Sequence, residues 1–260
     1  MLLLASLISP LIWSAAVATI SLAKQKTTLQ LQSQIVKMTY SALFLLMLSL
    51  LVVGERNAKN VENNPKRGPT LPYYASIFID DAWFCTGSLI SDTLVLTAAH
   101  CVQGGAFFDI SLGEQQFSSS EAILHPDYDQ STFSADLAVI RLPEPAQVDP
   151  APLPEAGDAL EVGDSVCLDD LDGSFVCAQV LSDADCFDAF GSVSEDIVCL
   201  DNTLGNMCTG VYSGAPGTTT ATNPGTLVGV TTMSGSAGCE VGSPIGLTRV
   251  EYHIDWINGV

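Results

Sequence analysis

Residues 84–101 read FCTGSLISDTLVLTAAHC, running from Phe84 to Cys101. Leu94 and Leu96 alternate with their neighbours ahead of a small Ala98-Ala99 step, a pattern that suits a buried strand. The strand runs straight into His100 and Cys101, and Cys85 lies a strand-turn-strand length upstream. A histidine delivered by a buried strand in this way belongs on the floor of a cleft. The plain alternative is a core histidine beside an incidental cysteine pair. Candidate partners for His100, present downstream in the chain, argue against that.

Ser134-Ala135-Asp136-Leu137-Ala138-Val139-Ile140-Arg141-Leu142 sets a lone acid ahead of an alternating apolar strand. A general-base histidine needs a carboxylate on its far nitrogen to hold the tautomer and stabilise the imidazolium. Asp136 meets that need, although an aspartate before a strand is also a common turn residue. Further on, Cys208-Thr209-Gly210-Val211-Tyr212-Ser213-Gly214-Ala215-Pro216 offers a hydroxyl in a glycine-containing turn. With Ile123-Leu124-His125-Pro126-Asp127-Tyr128 upstream, these segments resemble the chymotrypsin-like, trypsin-type serine proteases. The resemblance covers about residues 71–260. It implies an all-β fold of two antiparallel six-stranded β-barrels, the active-site cleft between them, and a short C-terminal helix. It also implies a Ser-His-Asp triad of Ser213, His100 and Asp136, with His125 structural.

The nucleophile segment departs from the family's C-x-G-D-S-G-G-P. Anchored on the right, Ser213-Gly214-Ala215-Pro216 matches and Ser213 is the nucleophile. Anchored on the left, Cys208-Thr209-Gly210 matches and Tyr212 takes the serine's place. The right-hand anchor is preferred, because Ser-Gly-x-Pro shapes the nucleophile turn. One residue is inserted among the oxyanion donors, which the resemblance assigns to the N–H groups of Gly210, Val211 and Ser213. Losing one such donor costs on the order of 3 kcal/mol of transition-state stabilisation. The family's aspartate is replaced by Val211-Tyr212, so a new amino terminus released by activation cleavage has no carboxylate to pair with. Val52-Val53-Gly54 faintly resembles the family's mature start, but no basic residue directly precedes it.

The chain's end resembles the family again. Leu227 to Ser234 is similar to the strand that lines the substrate channel. The run Pro244 to Ile257 is similar to the last strand and closing helix, where Tyr252 and Trp256, four apart, suit one packed helix face. By the same resemblance the primary pocket is built from Asn206, Met207, Thr232, Met233, Ser234 and Ile245. Asn206 stands where a trypsin keeps its aspartate, so Arg or Lys recognition lacks a charge partner. Ile245 replaces a wall glycine, which points to small or aliphatic substrate side chains. The rival reading of these departures is a catalytically inactive serine protease homologue that binds or regulates.

The eight cysteines pair, by resemblance, as Cys85–Cys101, Cys186–Cys199 and Cys208–Cys239. Cys167 and Cys177 are left to close their own hairpin around Asp172-Gly173. No CxxC spacing or histidine cluster supports a metal, and no cofactor is expected. Disulfides imply an oxidising compartment. Residues 1–54 are an apolar N-terminal region, a signal peptide or an anchor, with 38–54 having the length of an ordinary secretory signal. Leu2 to Ala23 is long enough to span a bilayer, so membrane attachment follows only if that segment is retained. Residues 55–70 read as a polar linker or vestigial pro-segment, and 71–260 as the protease domain.

The 260 residues carry a formal net charge of −20. Only Glu55 and Glu62 of the 29 acidic residues precede residue 68, and only Arg141 and Arg249 of the nine basic ones follow it. Residues 68–260 therefore hold a formal −25. Such a surface repels nucleic acid and anionic membranes and attracts basic substrates, or it serves solubility alone. The combined expectation is a secreted, extracellular, monomeric serine endopeptidase acting on proteins or peptides.

Overall fold

The computed structural model describes residues 71–169, 175–203, 211–219, 225–234 and 242–260. All of them fall in the compact unit Asn64–Val260. Seven strands make the first antiparallel sheet: β1 (Tyr74–Ile79), β2 (Trp83–Leu89), β3 (Leu94–Thr97), β4 (Phe108–Leu112), β5 (Gln115–Ser119), β6 (Ala122–Leu124) and β7 (Ala138–Arg141). Their spatial order is β5-β4-β1-β2-β3-β7-β6. Six more make the second: β8 (Ser165–Asp169), β9 (Phe175–Gln179), β10 (Ile197–Leu200), β11 (Pro216–Thr219), β12 (Leu227–Ser234) and β13 (Ile245–Arg249), ordered β10-β13-β12-β11-β8-β9. Both sheets curl, so the two-barrel expectation holds, with the first carrying a seventh strand. The short helix α1 (Ala99–Val102) follows β3, α2 (Asp183–Phe190) precedes β10, and α3 (Ile254–Gly259) ends the chain after the 3-10 turn Glu251–His253.

Side-chain alternation explains the half-exposed strands. In β4, Phe108, Ile110 and Leu112 are buried while Asp109 faces water, the period-two pattern of a half-buried strand. In β3 the alternation fails, because Val95 and Leu96 are both fully buried. The strand lies between β2 and β7, and its core cluster also takes in Leu227, Val230 and Val250 from the second half. Both faces of β3 are therefore covered. A smaller cluster of Val166, Leu168, Val198, Leu200, Val228, Ile245 and Leu247 fills the second sheet.

The helix α2 has a clear local cause. Ser182 Oγ accepts the Asp185 N–H at 3.2 Å, and Asp183 and Asp185 sit in the first turn, where the helix dipole favours negative charge. Gly191, at φ +82°, ends it. Disulfides join Cys85–Cys101, Cys167–Cys177 and Cys186–Cys199, and the expected Cys208–Cys239 bridge lies outside the described residues. Tyr252 is 58% exposed, whereas Trp256 packs on the first core. The expected shared face fails because Tyr252 falls in the 3-10 turn, where the spacing of a regular helix does not apply.

Both basic residues of this region have internal partners. Arg249 Nη1 donates to the Leu160 carbonyl at 3.2 Å and faces Glu251, and Arg141 Nη2 donates to the Val260 carbonyl at 3.2 Å.

Candidate active site

The turn of helix α1 lifts His100 out of β3, and the Cys85–Cys101 bridge ties that turn back to β2. The His100 backbone N–H donates to Asp136 Oδ1 at 2.8 Å, and its ring Nδ1 lies 2.6 Å from Asp136 Oδ2. One carboxylate thus fixes both the backbone and the ring of the same residue. Asp136 is fully buried, so its charge requires full hydrogen bonding. Thr232 Oγ1 supplies a further donor to Oδ2. The Asp136 contact holds the imidazole with its proton on Nδ1, which leaves Nε2 as the basic atom. The ring is 23% exposed and opens on a cleft of about 500 Å³ lined by Trp83, Phe84, Gln103 and Ser213 among others.

Ser213 is held by its backbone. Its carbonyl accepts from the Thr86 N–H at 2.9 Å and from Thr86 Oγ1 at 3.1 Å, and Thr97 Oγ1 in turn donates to the Thr86 carbonyl at 2.7 Å. The Gly214 N–H donates to Thr231, and the Ala215 N–H to Tyr212. The Ser213 N–H donates to no described group. Among the described residues no hydrogen bond joins the Ser213 hydroxyl to His100, and such catalytic bonds tighten as substrate binds. The Tyr212 ring turns aside, edge-on to Phe84 at 4.8 Å.

Gly214 is the tightest point of this turn. It sits at φ +85°, and a Cβ there would lie 2.0 Å from the Thr86 carbonyl oxygen and 2.6 Å from Thr97 Oγ1. Gly214→Ala is expected to destabilise the fold by about 3 kcal/mol or more, from left-handed strain and overpacking together. Urea unfolding of the purified variant measures this.

Of the expected pocket residues, Thr232 donates its hydroxyl to Asp136. Met233 lies across Gly246, where an added Cβ would meet its Cγ at 2.5 Å. Ile245 is buried in the second core, with Val211 packed against the same cluster. Gly210, Asn206, Met207, Cys208 and Cys239 lie outside the described residues, as does the Ser234 side chain. Two contributors have no obvious sequence signature. Phe133, at φ +58°, sets its ring edge-on to His100 at 5.9 Å, and Thr86 braces Ser213. The sulfurs of Cys85 and Cys101 approach His100, but their disulfide leaves no thiolate for a metal.

His125 is buried, and its ring packs tilted against Trp256 at 4.6 Å. Burial, and then the neighbouring His253, hold its imidazole below the ordinary value, outweighing Asp127 and Asp196. Burial pushes the Asp196 carboxyl up, but hydrogen bonds from His253, Ser194 and Ala135 together hold it below the ordinary value. Both shifts give the same sign. Well above pH 6.5 the folded and unfolded states bind equal protons at these two sites. Below the ordinary histidine value of 6.5 the unfolded chain takes up a proton that folded His125 resists, and below 3.8 the same holds for Asp196. Stability is therefore expected to fall as pH drops below about 6.5, with a further loss below about 3.8. Thermal melts across pH 7 to 3 measure it.

The family model described as Trypsin matches residues 60–257. The chain is 36% identical to brachyurin of Leptuca pugilator over 210 residues, covering 72% of this chain and 91% of that protein. It is 28% identical to collagenase of Hypoderma lineatum over 196 residues, 67% of this chain and 75% of that one. A solved structure of HL collagenase superposes with a TM-score of 0.66 at 28% identity, covering 73% of this chain and 94% of that one.

Proposed function

Because the chain belongs to the trypsin family of serine endopeptidases, we propose that its own catalytic group is Ser213, served by His100 and Asp136. Ser213 Oγ attacks the scissile carbonyl while His100 Nε2 takes its proton. The same proton then passes to the leaving amine, and water repeats the cycle on the acyl-enzyme. Asp136 holds the ring and stabilises the imidazolium. The N–H groups of Ser213 and of Gly210 or Val211 hold the oxyanion. The observation that carries this reading is the buried Asp136 clamped on His100 in the same cleft as Ser213.

The substrates are proteins, with small or aliphatic side chains preferred at the cut and Arg or Lys disfavoured. Asn206 in place of a carboxylate supports that preference by resemblance. The acidic surface favours basic flanking segments. The three disulfides among the described residues support a secreted, extracellular protein, with residues 38–54 as its signal and 71–260 as the working domain, acting as a monomer. A second reading, an inactive homologue that binds rather than cuts, rests on the unmade Ser213–His100 hydrogen bond. A peptide set differing only at the residue before the cut tests the specificity. Alanine, valine or leucine is expected to exceed arginine by at least about tenfold in kcat/KM. An arginine preference overturns the assignment.

A further inference from the structure

A second chain of buried polar groups ends on Ala135, the neighbour of the catalytic aspartate. Ala135, next to Asp136, stands at φ +49°, a left-handed conformation that brings an alanine's Cβ too close to the following carbonyl oxygen. Such a conformation persists only where surrounding contacts over-determine it. Here its N–H donates to Asp196 Oδ2 at 2.6 Å. Asp196 comes from the second half of the fold, just before β10, and its own carbonyl accepts the Arg249 N–H of β13 at 2.7 Å. A parallel tie joins Ser134 Oγ to Ser194 Oγ at 3.2 Å.

Behind Asp196 the hydrogen bonds run in one direction. The Asp127 N–H lies 3.2 Å from His125 Nδ1, and an amide N–H can only donate, so that nitrogen is the acceptor. The His125 proton is then on Nε2, which faces His253 Nδ1 at 3.2 Å. His253 carries its proton on Nε2, which donates to Asp196 Oδ2 at 2.9 Å. Each ring thus has one donor and one acceptor satisfied. His125, His253, Asp196 and Ala135 are all buried, so an unmet partner is not replaced by water.

We propose that Asp196, oriented by His253 and His125, is a positioning residue for catalysis: it clamps Ala135 in its left-handed turn and so aims Asp136 at His100. The chain of groups touches no substrate and acts through Asp136 alone. This role rests on His100 and Asp136 being the base pair, and the experiment below separates the two.

The test measures kcat and KM together with the downfield proton resonance of His100 Nδ1–H, the latter in a Ser213→Ala background where turnover plays no part. Asp196→Ala is expected to lower kcat on the order of 10- to 100-fold, as displaced catalytic geometry does, with KM held within about twofold. The same substitution should shift or abolish the resonance. Asp196→Asn keeps a carbonyl for Ala135 and His253, and it should restore most of both signals. Adding Ala135→Gly to Asp196→Ala removes the left-handed strain, and it should recover part of the lost kcat. Should Asp196→Ala fail to fold, His253→Phe removes the donor behind Asp196, together with the acceptor of the His125 Nε2–H, and should still shift the resonance. An unaltered resonance and kcat in Asp196→Ala, or Asp196→Asn as damaged as Asp196→Ala, overturns the proposal. An intact resonance in a protein without turnover faults the nucleophile loop instead.

Discussion

Ser213→Ala is expected to lower kcat by about 10⁶-fold while leaving the melting temperature close to that of the parent, since loss of a triad serine removes the nucleophile outright. The structural cost should be small. Ser213 is held through its backbone carbonyl by Thr86, not through its hydroxyl, so those bonds survive the substitution. Tyr212→Phe is the matched control for the rival alignment in which position 212 carries the chemistry. The Tyr212 ring packs edge-on to Phe84, and phenylalanine keeps that contact, so activity should stay within about twofold. A hydrolysis assay on a good peptide substrate separates the two outcomes at once. Reversal, with Tyr212→Phe dead and Ser213→Ala active, would move the nucleophile by one residue.

Asp136→Asn should lower kcat by about 10⁴-fold, the loss found when an amide replaces the acid in the triad template. The reason can be followed atom by atom. Three donors converge on this carboxylate: the His100 backbone N–H, the His100 ring and the Thr232 hydroxyl. An amide has only one oxygen to offer them. If that oxygen takes the backbone N–H, which cannot invert, the NH₂ group faces the ring. The ring then moves its proton to Nε2, and the basic nitrogen no longer faces the cleft. Protein stability should also fall, because three donors in a buried site are left with one acceptor atom. Parallel measurement of kcat and of thermal melting checks both effects.

Much of the fold was legible because it is local. Alternating apolar residues mark β4, and the Leu94–Thr97 run leading into His100 marks the strand that carries the base. The cap formed by Ser182 and Asp185, with Gly191 behind it, was also present to be read as helix α2, and the strand-rich pattern around it hid so short an element. Tyr252 and Trp256 misled, since a spacing of four means a shared face only within a regular helix. The bracing of the site was not legible. Thr86 and Ser213 meet across 127 residues, and Asp196 meets Ala135 across 61. No periodicity encodes a hydrogen bond between distant loops. The two alignments of the nucleophile segment were equal as strings. They differ in three dimensions, where the positive φ of Gly214 and its closeness to the Thr86 carbonyl support the serine before it as the exposed group.

Activation of Ser213 by His100 and Asp136 is tested most directly by reaction with a fluorophosphonate, followed by intact-mass and peptide analysis. One probe per chain is expected, carried on the peptide containing Ser213 and absent from Ser213→Ala. A folded, disulfide-bonded protein that takes up no probe, or takes it up on another residue, would contradict this assignment.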